Sequence, residues 1–372
     1  MTTITKALNV VLAQVSSRAS RARRRSLALG MSATVALSTL GVAIAAPANS
    51  APSDQASSTL KVQFFASGFG GLKKPDDVAV LGTDLFVAYQ NGVGATGGAA
   101  SGTGTTTSTI VEYAGKSVKA QWVVTGKCDG LGADAATGQI IASVNEDGNS
   151  SLYTIDVASG VVTHFTYNVD PASSAIGGGG TDAISVVNGK ILISASAPNS
   201  ATAPAVFSVA LDASTKIATL TPFFSDNASA TGPNGAVTLA LTDPDSNAVV
   251  PSSSPLYAGD FALNSQGDSQ MIFASNPASA TPTLSVLTLG TQIDDFTWAT
   301  STEGSLILTD NSANTIYQIT GDFTPGTVFV DTASDSGVPG IVGTLNLATG
   351  QVTPLLVGFT NPHGLIFVPS SR

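Results

Sequence analysis

The chain has very little histidine, cysteine and arginine for its 372 residues. Its one cysteine, Cys128, excludes an intrachain disulfide, so stability has to come from a packed core, which a closed β-architecture of this length can supply. Two histidines leave little imidazole for acid–base catalysis. After residue 25 the only arginine is Arg372, which argues against guanidinium clamps for phosphate or carboxylate groups.

Positive charge is scarce outside the N-terminal segment. Six of the fifteen Lys and Arg residues lie in residues 1–51, which contain no acidic residue. The remainder therefore carries nine basic and 25 acidic residues, a net charge of −16. Nucleic-acid binding depends on Lys and Arg neutralising phosphates, so this charge excludes nucleic acid as an expected partner. An acidic surface suits solubility outside the cell.

The N-terminal segment has the pattern of an export signal. A cluster of arginines precedes an apolar run from Leu27 to Ala46, and small-residue cleavage patterns follow. We therefore expect residues 1–51 to be a signal peptide for the Sec or the twin-arginine route, and residues 52–59 to be a disordered lead-in. The mature protein would be secreted, periplasmic or held at the cell surface, with no stable membrane insertion after signal removal.

One phrase recurs along the rest of the chain: an aspartate, a short strand, a turn, a second apolar strand and an asparagine. The copies run from Asp77 to Asn91, Asp129 to Asn145, Asp182 to Asn199, Asp260 to Asn276 and Asp295 to Asn311. Their Asp-to-Asn separations are 14, 16, 17, 16 and 16 residues. A sixth start occurs at His363, where histidine replaces the aspartate. Self-similarity at a fixed period indicates a repeat architecture.

Two further strands follow most copies, as in Leu152–Asp156 and Val161–Phe165, with a hairpin signal at Ser159-Gly160. The unit is thus a four-stranded antiparallel sheet of roughly 50 residues, the size of a propeller blade. No long apolar pattern of period 3.6 is present after the signal, so helix should be scarce. We predict an all-β fold in which residues 60–369 form one β-propeller domain.

The two ends of this domain are expected to share a blade. Strand 60–65 and strand 364–368 each lack partners nearby in sequence, and combining them would remove an open sheet edge. This gives a six-bladed propeller closed by mixing N- and C-terminal strands. Residues 225–258 interrupt the repeat, and a complete extra blade there would give the alternative of seven.

The starts of the repeats, best seen in Asn361-Pro362-His363-Gly364-Leu365, resemble those of the NHL and gluconolactonase-like group of six-bladed propellers. The resemblance covers nearly all the chain after the signal. It implies the fold rather than an activity, because members of the group include sugar lactonases, antibiotic lyases and protein-binding modules.

The repeat also predicts a ring of side chains around the propeller axis. Its members would begin the innermost strands: Asp77, Asp129, Asp182, Asp260, Asp295 and His363. Oxygen-rich rings suit Ca²⁺ or Mg²⁺, and a neutral imidazole could be a further ligand. The alternative is that each aspartate accepts backbone hydrogen bonds and fixes its own turn. No other cofactor-binding motif is present. The segment 243–247 alternates oxygens as calcium loops do, but it lacks their glycine and glutamate and is expected to be a surface turn.

Two functions follow from these observations. The first is a secreted binding or scaffold module for an extracellular protein or glycan ligand. The second is a divalent-metal-dependent hydrolase or lyase, lactonase-like, with its site in the mouth of the central channel. In the second case His363 is the candidate catalytic residue, as a base or as a metal ligand.

Overall fold

A computed structural model describes residues 60–99, 104–200 and 202–370, so the predicted signal peptide (1–51) and lead-in (52–59) lie outside the described residues. Within them the fold is all-β, with two 3₁₀ turns at Gln266–Asp268 and Ser334–Ser336 and no α-helix. The first thirteen strands are β1 (Lys61–Ser67), β2 (Pro75–Leu81), β3 (Asp84–Tyr89), β4 (Thr107–Ala114), β5 (Ser117–Thr125), β6 (Cys128–Asp134), β7 (Gln139–Val144), β8 (Ser151–Asp156), β9 (Val162–Tyr167), β10 (Ile184–Val187), β11 (Lys190–Ser194), β12 (Pro204–Asp212) and β13 (Ile217–Ser225). The other thirteen are β14 (Ser229–Gly232), β15 (Gly235–Thr238), β16 (Pro244–Val249), β17 (Phe261–Ser265), β18 (Gln270–Ser275), β19 (Thr283–Thr288), β20 (Phe296–Trp298), β21 (Gly304–Asp310), β22 (Thr315–Thr320), β23 (Val328–Thr332), β24 (Gly340–Leu345), β25 (Val352–Phe359) and β26 (Pro362–Pro369).

These strands form six four-stranded antiparallel units and one extra hairpin. Four units are consecutive in sequence: β2–β5, β6–β9, β10–β13 and β16–β19. The second and third are joined at their outer strands, β9 and β13, by a short parallel pairing. The hairpin β14–β15 attaches in parallel to the outer strand β19. The interruption at 225–258 thus supplies a hairpin and the strand β16.

The last two units are interleaved along the chain. Strand β20 pairs with β23 in the order β20-β23-β24-β25, whereas β21 and β22 belong to the order β1-β22-β21-β26. The first and last strands of the described chain therefore lie in one sheet. The fifth sequence copy was expected to be a hairpin within one blade. That expectation is wrong, because β21 pairs with β26 instead of with β20.

The first strands of the six units contact one another in a closed cycle: β2 with β6, β6 with β10, β10 with β16, β16 with β20, β20 with β26 and β26 with β2. Six apolar clusters fill the spaces between successive units. Phe86 and Ile140, for example, are fully buried in the cluster between the first two units. Burial of each such side chain contributes about 1.5–3 kcal/mol. Every sheet thus covers its two faces with its neighbours.

Local sequence explains the hairpins within a unit. Between β10 and β11 the turn residues Asn188 and Gly189 have φ values of 51° and 77°, the left-handed conformation that two-residue hairpin turns require. The alternation of apolar residues on both strands then directs one face toward each neighbouring unit.

Neither short helical turn of the described ranges has the length or hydrophobicity needed to cross a membrane.

Candidate functional site

The inner strands β2, β6, β10, β16, β20 and β26 begin around one cavity of about 770 Å³. Its lining is unusually rich in carboxylates: Asp76, Asp77, Asp129, Glu146, Asp182, Asp243, Asp245, Asp294 and Asp295. The basic side chains of this lining are Lys74, Lys127 and His363. The repeat therefore places acids from five of the six units, and a histidine from the sixth, at the same mouth.

Five of the six predicted ring residues line this cavity: Asp77, Asp129, Asp182, Asp295 and His363. The sixth, Asp260, does not. It lies in the loop between β16 and β17 and is not part of the described cavity lining.

Asp260 was predicted to belong to the ring because β17, which follows it, was expected to be the inner strand of its unit. Strand β17 carries the apolar run that the repeat led us to expect, but β16 lies inside it. The sequence of β16 is the polar Pro-Asp-Ser-Asn-Ala-Val, which had been interpreted as part of a surface turn. Asp243 and Asp245 thus occupy the position expected of Asp260.

Asp77 and Asp295 use both carboxylate oxygens to hold neighbouring inner strands together. In Asp77 one oxygen accepts the backbone N–H of Val78 at 2.6 Å, and the other accepts that of Leu131 on β6 at 2.6 Å. Asp295 accepts the N–H groups of Phe296 and of Leu365 on β26 in the same way, both at 2.7 Å. Hydrogen bonds to a charged acceptor contribute about 1.5–3 kcal/mol. These two aspartates therefore have the strand-fixing role that was the alternative to metal ligation.

Asp129 belongs to a compensated group around Lys127. The Lys127 ammonium lies 2.7 Å from Asp129 Oδ1 and also pairs with Glu146, and Gln90 donates to the same Oδ1 at 2.9 Å. Burial lowers the pKa of Lys127, but the two carboxylates outweigh burial and raise it, so the ammonium stays charged. Asp129 is only 8% exposed, and its second oxygen, Oδ2, has no hydrogen-bond partner among the described residues.

Asp182, Asp243 and Asp245 form an uncompensated sector on the third and fourth units. Their backbone carbonyls accept hydrogen bonds, but within the described ranges their carboxylates have neither a hydrogen bond nor an ion pair. Burial raises the pKa of Asp243 to about 7, with Glu146 adding to the effect. Burial also raises the pKa of Asp182 and of Asp245 well above the usual range, followed by repulsion from Glu146 for Asp182 and from Asp182 for Asp245.

His363 lies across the mouth among engaged acids. Its Nδ1 is 3.3 Å from Asp294 Oδ2 and 3.7 Å from Asp76 Oδ1. Asn361 Nδ2 donates to Nε2 at 2.8 Å, which leaves the proton on Nδ1, facing the two carboxylates. Amide side chains hold those acids too, since Gln266 donates to Asp294 at 2.6 Å and Asn311 donates to Asp76 at 3.0 Å.

Sequence reasoning missed several members of the site. The doublets Asp76-Asp77 and Asp294-Asp295 were visible in the repeat, but only the second aspartate of each was selected. Lys127, two residues before Asp129, was overlooked. The fully buried Asp331, whose Oδ1 accepts the N–H of Asp295 at 2.7 Å, lies behind the lining and has no signal in the repeat.

No protein-family model matches the chain, and neither does any curated protein. Solved structures with a similar overall fold include streptogramin B lyase (11% identity, TM-score 0.41, 83% of this chain and 95% of that one). TolB from Acinetobacter baumannii is 9% identical with a TM-score of 0.45, and the match covers 80% of this chain but only 58% of TolB. A protein from Bacteroides fragilis described as a 6-phosphogluconolactonase is 13% identical with a TM-score of 0.44, and the match covers 85% of this chain and 99% of that one. All three are β-propellers, in line with the fold-level resemblance noted in the sequence, and the likeness carries no site residue or activity to this chain.

Proposed function

We propose that the described domain is a six-bladed β-propeller acting as a binding module, and that the mouth of its central cavity binds a positively charged ligand. Three features support the architecture: six four-stranded units, the closed cycle of contacts between their first strands, and the six apolar clusters between units. On this proposal β1 and β26, from the two ends of the domain, complete the sixth blade.

The observation that carries the ligand proposal is the uncompensated sector. All three are half-buried in the cavity lining with no protein partner for their carboxylates, and three such groups on neighbouring units also repel one another. Other acids of the lining do have partners, which are backbone amides, Lys127, Gln90 or Gln266. A cationic ligand in the cavity would compensate the charge of these three carboxylates.

A binding module fits this geometry better than a hydrolase does. His363, the candidate base of the hydrolase alternative, has its Nε2 engaged by Asn361 and its Nδ1 beside Asp294 and Asp76. Lys127 is held charged by two acids and is also a poor base. A glycan site usually offers aromatic platforms, whereas Phe296 is the only aromatic side chain of the described cavity lining. A basic group of an extracellular protein, or a small organic cation, matches the charge of the mouth.

The alternative of divalent-metal chemistry rests on the predicted set of Asp77, Asp129, Asp182, Asp295 and His363, which share the cavity. No group of three or more potential ligands in the described ranges is arranged to hold one ion, and Asp77 and Asp295 have both oxygens engaged by backbone amides. The set therefore fits a metal ion poorly.

Calorimetric titration of the chelated protein with Ca²⁺ and Mg²⁺ tests the metal alternative. Binding that His363→Asn weakens at least ~10-fold, with an unchanged melting temperature, would favour it.

The ligand proposal is tested by the thermal shift of the domain in a panel of small ions at low ionic strength. We expect n-butylammonium and guanidinium to raise the melting temperature and butyrate to have no effect, because only cations meet the uncompensated sector. The double variant Asp182→Asn with Asp245→Asn should lose the shift. Glu303→Gln, an exposed acid outside the cavity, is the matched control and should retain it. Equal shifts from cations and anions would refute the proposal.

We further propose export, on the pattern of residues 1–51 in the sequence. Mass spectrometry of the protein recovered from culture medium or periplasm should give a mature N-terminus near residue 51. Recovery of the full-length chain only from the cytoplasm would contradict it.

A further inference from the structure

Basic residues are concentrated on the outer strands of two neighbouring units. The segments 60–74 and 114–125 contain five of the nine basic residues that follow residue 51, and none of the 25 acidic residues. The first segment holds β1, the outer strand of the sixth unit, and the second holds β5, the outer strand of the first unit. These two units are neighbours, because β26 contacts β2. An otherwise acidic domain therefore has one basic area on its outer surface.

Apolar side chains are exposed in the same two strands. In β1, Val62 and Phe64 are 43% and 59% exposed, and in β5, Val118 and Val123 are 42% and 60% exposed. The Lys116 ammonium, in the turn before β5, donates to the backbone carbonyl of Phe64 at 2.8 Å, so the two strands meet there. Within the described chain β1 pairs only with β22 and β5 only with β4, so each strand has an open edge.

The lysines of this area differ in how far their charge is compensated. Lys119 lies 2.7 Å from both Asp84 and Glu112, so its charge is balanced within the protein. Lys61 and Lys116 are exposed and have no ion pair among the described residues. These two lysines form the basic rim together with Val62, Phe64 and Val118.

Exposed lysines beside exposed apolar side chains match the surface of an anionic bilayer. Ammonium groups are attracted to the phosphates of anionic lipids, and phenylalanine or valine can enter the boundary between headgroups and acyl chains. The acids elsewhere in the domain do not prevent this local attraction, since charges more than about 10 Å away are largely screened at 0.1 M salt. Lysines on an open edge also hinder pairing with another chain, but that role gives no reason to expose Phe64.

The position of β1 in the sequence favours the same partner. Leu60 directly precedes β1, and the apolar run that begins at Leu27 ends at Ala46, fourteen residues before Leu60. A chain of that length spans at most about 50 Å. On the proposed export, β1 is therefore the strand with the shortest connection to the membrane in which the run is held.

We infer that the basic rim docks the domain peripherally on a bilayer that contains anionic lipids. Lys61 and Lys116 contact lipid phosphates, while Phe64 and its two valine neighbours enter between the headgroups. None of these residues belongs to the lining of the central cavity, so the rim is a site separate from the one proposed for a cationic ligand.

Co-sedimentation with sucrose-loaded vesicles tests this inference. The protein is the chain from residue 52 onward, which lacks the apolar run and contains every described strand. The vesicles are phosphatidylcholine alone, or phosphatidylcholine with about one third phosphatidylglycerol. We expect binding at least about tenfold tighter to the mixed vesicles, and a loss of that difference at high salt.

Substitutions in the rim separate its two contributions. Phe64→Ser should weaken binding at least about fivefold, because it removes the largest apolar side chain of the rim. The double variant Lys61→Gln with Lys116→Gln should weaken it at least about tenfold. The matched controls Val161→Ser and Lys216→Gln remove an exposed valine and an exposed lysine from the second and third units, and both should bind like the unchanged protein.

All the substituted side chains are exposed, so circular dichroism melts of the variants should agree with the parent within about 3 °C. Val118→Ser is a second apolar variant if Phe64→Ser melts lower. Equal binding to both kinds of vesicle, or equal binding of the rim variants and the parent, would overturn the inference. Displacement by soluble poly-L-glutamate, with full binding by Phe64→Ser, would replace the bilayer with an acidic polypeptide as the partner. Cation binding in the cavity involves none of these residues, so the two proposals fail independently.

Discussion

Aspartates in equivalent positions of the repeat do different things in this molecule. Asp77 and Asp295 each join two inner strands through backbone amides, whereas Asp182 and Asp245 present unpartnered carboxylates to the cavity. The difference lies in what surrounds each residue, since all four stand at the start of an inner strand. A repeated residue can therefore be structural in one blade and available to a ligand in the next.

This division predicts opposite effects of the same substitution. Asp77→Asn replaces one acceptor oxygen by an NH₂ group that faces a backbone N–H, so we expect a loss of about 2 kcal/mol in the free energy of unfolding. Asp182→Asn removes an unpaired, repelled charge, so at pH 8 it should leave stability unchanged or raise it. Chemical denaturation measures both. If Asp77→Asn keeps its stability and Asp182→Asn loses stability, Asp182 would be the structural aspartate and Asp77 would not.

Asp260 provides a check on the corrected register of the fourth unit. Asp260→Asn should not change the affinity for cations, because the residue lies in the loop after β16 and outside the cavity lining. Asp245→Asn, in the position once expected of Asp260, should reduce it at least about tenfold. Calorimetric titration with n-butylammonium compares the two variants. A similar loss of affinity in both variants would contradict the assignment of β16 as the inner strand of this unit.

At the scale of elements, hairpins could be predicted from the sequence, but the sheet to which each strand belongs could not. Alternating apolar residues and turns such as Asn188-Gly189 predicted most strand pairs, because both signals are local. The exchange of β20 and β21 between sheets depends on packing against β23 and β26, which lie 30 to 60 residues further along the chain. The polar β16 was missed for a related reason: a strand whose side chains face a wet cavity carries no apolar alternation.

The outer strand β1 is expected to contribute to the thermal stability of the domain. It pairs with β22 and contributes Phe65 to the cluster between the sixth and first units. A chain beginning at Gly68 should therefore melt at least about 10 °C below a chain beginning at Leu60, because it loses a sheet edge and a core side chain. Circular dichroism melts compare the two, with the longer chain as the control. Identical melting temperatures would show that β1 does not complete the sheet.

At the scale of the whole molecule, burial of so many acids around one mouth makes stability depend on pH. The pKa values of Asp243 and Asp295 are raised to about 7, and those of Asp129, Asp182 and Asp245 are raised well above the usual range, chiefly by burial in each case. Asp243 and Asp295 therefore hold more protons in the folded than in the unfolded state between about pH 4 and pH 7, and the other three shift in the same direction. Stability therefore falls as the pH rises through that window.

We expect the melting temperature to be about 5–10 °C lower at pH 8 than at pH 5. The double variant Asp182→Asn with Asp245→Asn should show a shallower decrease, because two of the contributing groups no longer titrate. Added n-butylammonium should raise the melting temperature more at pH 8 than at pH 5. A melting temperature that rises between pH 5 and pH 8 would contradict the burial of ionisable acids around the cavity.

Crystallography can test whether the acidic mouth is a site for positive charge. Crystals of the domain soaked in rubidium chloride at pH 8 should show anomalous density in the cavity in contact with the carboxylates of Asp182 and Asp245. The same soak of crystals of the double variant Asp182→Asn with Asp245→Asn should give no anomalous density at this position. An empty cavity in the wild-type protein, with rubidium bound only at exposed acids elsewhere on the surface, would show that the mouth is not a site for positive charge.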